Sequence, residues 1–307
     1  MSSESGRVRP VPNAGWDERI HVFQYGRLVT IFAIVSRRYV VLIDTLLNRR
    51  AATAVLDHLR DHLSDRQLLV INTHADWDHC WGNGVFDGPQ ATRRAPIIAH
   101  RLCRARMLAP ELRAELAQMQ RESPETFADV LLVPPTIVFD DSLLIDGGDL
   151  TFEVTHTPGH QPDHLAIYVP EITTLFAGDA AEQPIPHLAD LSTLPLLRES
   201  LRRLAAYDAT TAFYCHARGI TSPQLIHDNI AYFDELERRV RESPLPPLES
   251  LNGAADWERL IDFPFAQVRG AEGMADDERE SYRANHRRAI EAMLRWINDS
   301  QRGRSEP

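Results

Sequence analysis

Six consecutive residues, His74-Ala75-Asp76-Trp77-Asp78-His79, place two imidazoles and two carboxylates directly after the apolar run QLLVINT. In extended chain, side chains two apart share a side. His74, Asp76 and Asp78 then converge, and His79 reaches a neighbouring point where the chain turns. Groups of this kind need partners, and divalent metals supply them. Three further segments carry the same residue types: Thr155-His156-Thr157-Pro158-Gly159-His160, Phe176-Ala177-Gly178-Asp179 and Cys215-His216-Ala217-Arg218-Gly219. Each follows a β-like run, where open sheets present their functional loops. Together the segments offer His74, Asp76, Asp78, His79, His160, Asp179 and His216. Seven ligands suffice for two metal ions that share one bridging carboxylate and keep a position open for water.

Strands and helices must carry these loops. IHVFQYG, LVTIFAIVS and YVVLIDT are rich in β-branched and aromatic residues and read as strands, with AATAVLDHLRDHL at helical spacing after them. QLLVINT and PIIAH are short strands, and residues 101–121 are a helix interrupted by Pro110. TIVF, SLLI, LTFEVTH, HLAIYV and TTLFAG repeat the strand pattern between polar turns. LPLLRESLRRLAAY, a strand TAFYCH and a long helix opened by Ser222-Pro223 follow. The order predicts two mixed sheets with helices outside. Residues 1–17 read as a flexible tail, and a Pro-rich stretch after residue 243 leads into a last helix. Tyr282, Ile290, Met293, Leu294 and Ile297 form that helix's apolar stripe.

The chain has 307 residues and a formal charge of −11. Its acidity argues against phosphate-backbone partners, so a small-molecule substrate is expected and no nucleic acid. All 33 basic residues are Arg. Without Lys there is no Schiff-base catalysis, no lysine-bound pyridoxal phosphate and no Walker-type phosphate loop. Cys80, Cys103 and Cys215 are too few and odd in number for a disulfide framework. No signal-peptide core or membrane span is evident, so a cytoplasmic protein is expected.

The combined motifs resemble the metallo-β-lactamase superfamily, whose first motif reads His-x-His-x-Asp-His and whose later His often stands in Thr-Pro-Gly-His, intact here at 157–160. The resemblance implies an α/β fold, an αββα sandwich with a dinuclear site at one edge of the sheets, plus a C-terminal helical extension. It places the domain at 18–242 and the extension at 243–307. It also implies that His74, Asp76 and His160 bind the first metal, that Asp78, His79 and His216 bind the second, and that Asp179 bridges. Asp76 stands where the family usually has His. The cofactors implied are two divalent ions, zinc first, with the carboxylate at Asp76 also admitting iron or manganese.

The chemistry expected is hydrolysis by a metal-bound hydroxide, with Asp78 orienting the nucleophile or shuttling its proton as well as binding metal. Ester, thioester, lactone, β-lactam and related bonds are candidates. Arg218 is a candidate for binding an anionic part of the substrate. The alternatives from other classes are a diiron redox protein of the same fold and a non-catalytic metal-binding protein. His156 and His164 read as structural, Cys80 and Cys215 as inert buried thiols, and Asp44 as a support of the metal loop. Trp77 and Trp81 either line the site or pack.

Overall fold

Val, Ile, Tyr and Phe dominate residues 20–43, and three strands form there in the computed structural model, which describes residues 6–217, 219–243 and 257–302. The chain divides into two compact units. The first comprises Met1–His156, Asp163–Gly178 and Asp208–His216; the second comprises Thr157–Pro162, Asp179–Tyr207 and Ala217–Pro307.

The first unit contains both sheets. Strands β1 (Val8–Val11), β2 (Ile20–Tyr25), β3 (Val29–Val35), β4 (Tyr39–Ile43), β5 (Gln67–Ile71), β6 (Ile97–His100) and β7 (Ile137–Phe139) lie side by side in sequence order. Pairing is antiparallel from β1 to β4 and parallel from β4 to β7. Parallel neighbours need crossovers, and helices α1 (Arg49–His58), α2 (Trp77–Cys80), α3 (Arg101–Leu108), α4 (Pro110–Glu122) and α5 (Pro124–Phe127) lie in these connections. Pro110 occupies the first turn of α4, where its missing N–H has no helical partner to lose, so one expected helix becomes two.

The second sheet has the order β12 (Thr211–Tyr214), β11 (Thr174–Gly178), β10 (Leu165–Val169), β9 (Thr151–His156), β8 (Ser142–Asp146). Only β11 and β12 are parallel. These are the two mixed sheets expected. Their inner faces meet at Phe32 of β3, whose ring lies 5.3 Å from Phe176 and 5.2 Å from Phe213. Phe176 and Phe213 stack on each other at 5.2 Å. Buried aromatic pairs of this kind add about 0.5–1.5 kcal/mol each beyond their area.

Within the expected flexible tail, Val8–Val11 form β1 against β2. The edge of β2 offers unpaired backbone groups, and Pro10, lacking an N–H, is tolerated on an edge strand.

The second unit contributes helices α6 (Leu194–Ala205), α7 (Gln224–Glu242), α8 (Trp257–Leu260) and α9 (Asp276–Arg302). Arg198 of α6 is buried, pairs with Asp234 at 2.8 Å and Glu237 at 2.6 Å on α7, and lies 5.0 Å over the Trp296 ring of α9. Glu258 of α8 accepts from Arg283 and Arg287 of α9 at 2.7 and 3.1 Å. Ile290, Met293, Leu294 and Ile297 are buried as expected. Tyr282 departs from the apolar stripe, because its hydroxyl donates to Glu182 Oε2 at 3.1 Å. The Pro-rich stretch 244–256 lies outside the described residues.

Candidate metal centre

In the first unit the site grows from Asp44, immediately after β4. Its φ is +66°, a left-handed conformation that Asp tolerates better than most side-chain-bearing residues. The carboxylate is fully buried. Its Oδ1 accepts the Thr73 backbone N–H at 2.8 Å, and its Oδ2 accepts the Thr73 hydroxyl at 2.7 Å. His79 Nδ1 lies 2.8 Å from the same Oδ2, so a carboxylate fixes Nδ1 as the protonated nitrogen. The Thr73 hydroxyl has a single hydrogen, already given to Asp44. His74 Nδ1, 2.9 Å from that oxygen, must therefore be its donor. Both imidazoles thus hold their protons on Nδ1 and carry the lone pair on Nε2.

The extended course assumed for the whole motif ends at Asp76, whose φ and ψ are −70° and 154°. Trp77–Cys80 then make one helical turn, α2. That turn swings Asp78 and His79 away from an alternating line and toward His216, which follows β12 by two residues. Asp78 Oδ2 lies 3.6 Å from His79 Nε2 and 3.5 Å from His216 Nε2. The three ligand atoms all lie within 4.8 Å of one another. Ligands at about 2.0–2.1 Å around a tetrahedral ion stand about 3.3–3.5 Å apart. The donor set and its spacing therefore fit a divalent cation.

Asp76 splits its two oxygens. Oδ1 accepts from Arg106 Nη2 at 2.7 Å, and Oδ2 lies 3.5 Å from His74 Nε2. Arg106, on α3, also donates to the fully buried Asp163, whose other oxygen accepts the Ala75 N–H at 2.8 Å. Burial works against the Arg106 charge, but Asp163 and Asp76 outweigh it and raise its pKa above the usual value. One guanidinium thus ties down the first half of the motif. Asp163 follows the His160 loop closely, but nothing in the spacing of α3 singles out Arg106, and the sequence reading missed both.

In the second unit, His160 lies on the short excursion Thr157–Pro162. Its Nδ1 faces the His187 carbonyl at 3.2 Å, which again leaves Nε2 as the lone-pair nitrogen, 3.6 Å from Asp179 Oδ2. Two glycines permit these turns. A Cβ on Gly159 would stand 2.3 Å from Leu197 Cα. Gly178 has φ +57°, and a Cβ there would stand 2.6 Å from His164 Nε2.

The remaining residues separate cleanly. His156 stacks on His100 at 3.8 Å, and burial followed by the His156 charge lowers the His100 pKa. Trp77 and Trp81 both meet Phe127 edge-on, at 5.8 and 5.7 Å, so both pack. Burial pushes the Cys80 and Cys103 thiols well up, which keeps them unreactive. Cys215 is also buried. Arg218 lies outside the described residues.

Two sheets of this order and a loop of His and Asp at strand ends define a metallohydrolase-type class of fold. Residues 25–216 match the sequence profile of the metallo-beta-lactamase superfamily, and the chain belongs to it. A hydroxyacylglutathione hydrolase of Saccharophagus degradans is 25% identical over 271 residues, covering 85% of this chain and 84% of the relative. The acyl-coenzyme A thioesterase MBLAC2 of Bos taurus is 26% identical over 175 residues, covering 51% of this chain and 60% of the relative. Among solved structures, a metallo-beta-lactamase family protein from Thermus thermophilus superposes with a TM-score of 0.55 at 23% identity, covering 78% of this chain and 83% of that one. The sec-alkylsulfatase Pisa1 from Pseudomonas sp. gives 0.59 at 16%, covering 77% and 43%. Among the described residues, no helix is long and apolar enough to cross a membrane.

Proposed function

We propose that this protein is a dinuclear metal-dependent hydrolase acting on an acyl bond of a small molecule. One observation carries the reading: the imidazoles of His74, His79 and His160, fixed through Nδ1, turn Nε2 toward carboxylate oxygens at 3.5–3.6 Å, the spacing of ligands around a shared cation. His74, His160 and Asp76 would hold one ion and Asp78, His79 and His216 the other, with Asp179 between them. Bound divalent ions, zinc foremost, would supply an acidified water and positive charge for a developing oxyanion.

The chain's own groups do the rest. Asp44, Thr73 and the His187 carbonyl hold the imidazoles in the tautomer that leaves Nε2 basic. The Asp78 carboxylate would orient the attacking water or shuttle its proton as well as bind metal. No Lys is available to polarise the carbonyl, so a bound metal, Arg218 or backbone N–H groups would take that place. The hydroxyacylglutathione hydrolase and acyl-coenzyme A thioesterase relatives support a reading with thioesters first among ester, lactone and β-lactam substrates. Residues 18–242 form the hydrolase domain and 243–307 its extension, and the protein acts in the cytoplasm.

The test is metal analysis of protein purified without chelator, followed by a hydrolysis panel led by acyl thioesters. About two equivalents of metal and activity that chelation removes and metal restores are expected. Folded protein that holds almost no metal and hydrolyses nothing would overturn the reading.

A further inference from the structure

Residues 182–189 have no long regular element, yet many side-chain bonds converge on them. Glu182 is buried, its Oε1 accepting the His187 backbone N–H at 3.0 Å and its Oε2 accepting the Tyr282 hydroxyl at 3.1 Å. Its Oε2 also lies 3.1 Å from His187 Nδ1, and its Oε1 lies 3.5 Å from His160 Nδ1. Further along α9, Asn285 donates to the Pro186 carbonyl at 3.0 Å. Arg288 donates to the Leu188 and Ala189 carbonyls at 3.0 and 2.7 Å. Residues 282, 285 and 288 are three apart, the spacing that puts side chains on one face of a helix. From α7, Asn229 closes the other side, donating to the carbonyls of Glu182 and Pro184 at 3.1 and 3.0 Å.

The gripped segment in turn holds His160. The His187 carbonyl faces its Nδ1 at 3.2 Å, and the Ala189 N–H donates to its backbone carbonyl at 2.9 Å. These bonds from α9 thus reach His160 through residues 182–189.

We infer that α9 is a positioning element of the metal centre: Tyr282, Asn285 and Arg288 hold segment 182–189 so that His160 presents Nε2 to the ion. The inference rests on the proposed assignment of His160 as a ligand. It gives the C-terminal helix a task in metal retention, distinct from contact with substrate. Tyr282→Phe removes one hydroxyl from Glu182 with little change of volume. Arg288→Ala removes two bonds to carbonyls, and Arg295→Ala, an exposed residue paired with Glu291, changes charge equally away from the segment.

The experiment is a chelator-competition titration of zinc, with the visible spectrum of the cobalt-substituted protein and a urea melt of the metal-free protein in parallel. In Tyr282→Phe and Arg288→Ala, affinity for the ion that His160→Ala loses should fall by up to about 10-fold, the low end of what direct partners of metal ligands cost, because they act through residues 182–189. The other ion's affinity should stay within about twofold, the cobalt spectrum should shift, and Arg295→Ala should match wild type. Equal weakening of both ions together with lost metal-free stability would make α9 merely structural and overturn the inference. Unchanged affinities and spectrum would also overturn it. His160→Ala separates the two levels. If it loses one ion while the α9 variants bind like wild type, only this inference fails. If it keeps both ions, the ligand assignment fails and the inference with it.

Discussion

Replacing Asp44 with Asn changes one buried oxygen for an amide nitrogen and leaves shape untouched, so its effect isolates proton placement. Asp44 accepts three hydrogen bonds, from the Thr73 N–H, the Thr73 hydroxyl and His79 Nδ1. An Asn can be seated in two ways. With its NH₂ at the Oδ1 position it meets the Thr73 N–H, and two buried donors face each other. That costs about 1–3 kcal/mol for each unsatisfied group. With its NH₂ at the Oδ2 position, His79 must accept on Nδ1 and carry its proton on Nε2. The Thr73 hydroxyl then turns toward His74 Nδ1, and His74 follows the same tautomer change. Both nitrogens needed for metal become protonated. Either seating also removes the negative charge that raises the basicity of His79. Asp44→Asn should therefore weaken metal binding about 10- to 100-fold in either seating, and lower metal-free stability by about 1–3 kcal/mol where the first is taken. Chelator competition measures the first and urea unfolding of the chelated protein the second. A variant that binds zinc within about threefold of wild type and unfolds within about 0.5 kcal/mol of it would refute the reasoning about tautomers.

Three further outcomes are expected. Arg106→Ala strips the counter-charge from buried Asp163 and from Asp76, and should destabilise the fold by about 2–3 kcal/mol in urea melts, with Arg106→Lys failing to restore it because a single ammonium cannot serve both carboxylates as the fork does; equal stability of all three proteins would contradict this. Asp76→His restores the family's usual residue but sets an imidazole against Arg106, so zinc retention should improve only when Arg106→Gln is added, as metal analysis of the single and double variants would show. Glu258 is buried; that burial raises its carboxyl pKa, but Arg283, the Phe265 N–H and Arg287 outweigh it and hold the value below the ordinary 4.5. A depressed carboxyl contributes stability above its unfolded-state pKa and loses it as pH falls through the folded value, so the wild-type advantage over Glu258→Gln should shrink below about pH 4.5 in unfolding titrations.

Much of this fold is written in residue types. The Val, Ile and Phe runs announce β2–β4, and Pro110 marks a break, although only its position at the start of α4 makes two helices of one. β1 stayed hidden because Arg7, Arg9 and Pro10 look like tail, and its pairing depends on the edge of β2 rather than on its own hydrophobicity. The His and Asp residues of the site are legible because few structural tasks use them so densely. The course of the motif is not, since the helical turn at Trp77–Cys80 follows from the tertiary hold of Arg106 on Asp76 and of Asp163 on Ala75. Likewise the apolar spacing of α9 conceals that Tyr282 reaches a buried carboxylate, because a phenol satisfies both descriptions until its hydroxyl finds a partner.

The two compact units each consist of three stretches of chain that alternate, so the polypeptide passes from one to the other five times. The passages fall at His156, Pro162, Gly178, Tyr207 and His216, and proposed ligands stand beside them: His160 between the first two, Asp179 at the third, His216 at the fifth. Neither unit corresponds to a contiguous stretch of gene. A crossover between residues 74 and 216 would divide the proposed ligand set, whereas one outside that span would leave it whole on one side. The proposed ligands thus stay together only where residues 74–216 are inherited as one block. Helices α7, α8 and α9 share one contiguous stretch, Ala217–Pro307, and could be exchanged with a relative's without moving the excursions that carry His160 and Asp179, but an incoming last helix would have to match the bonds of Tyr282, Asn285 and Arg288 to residues 182–189.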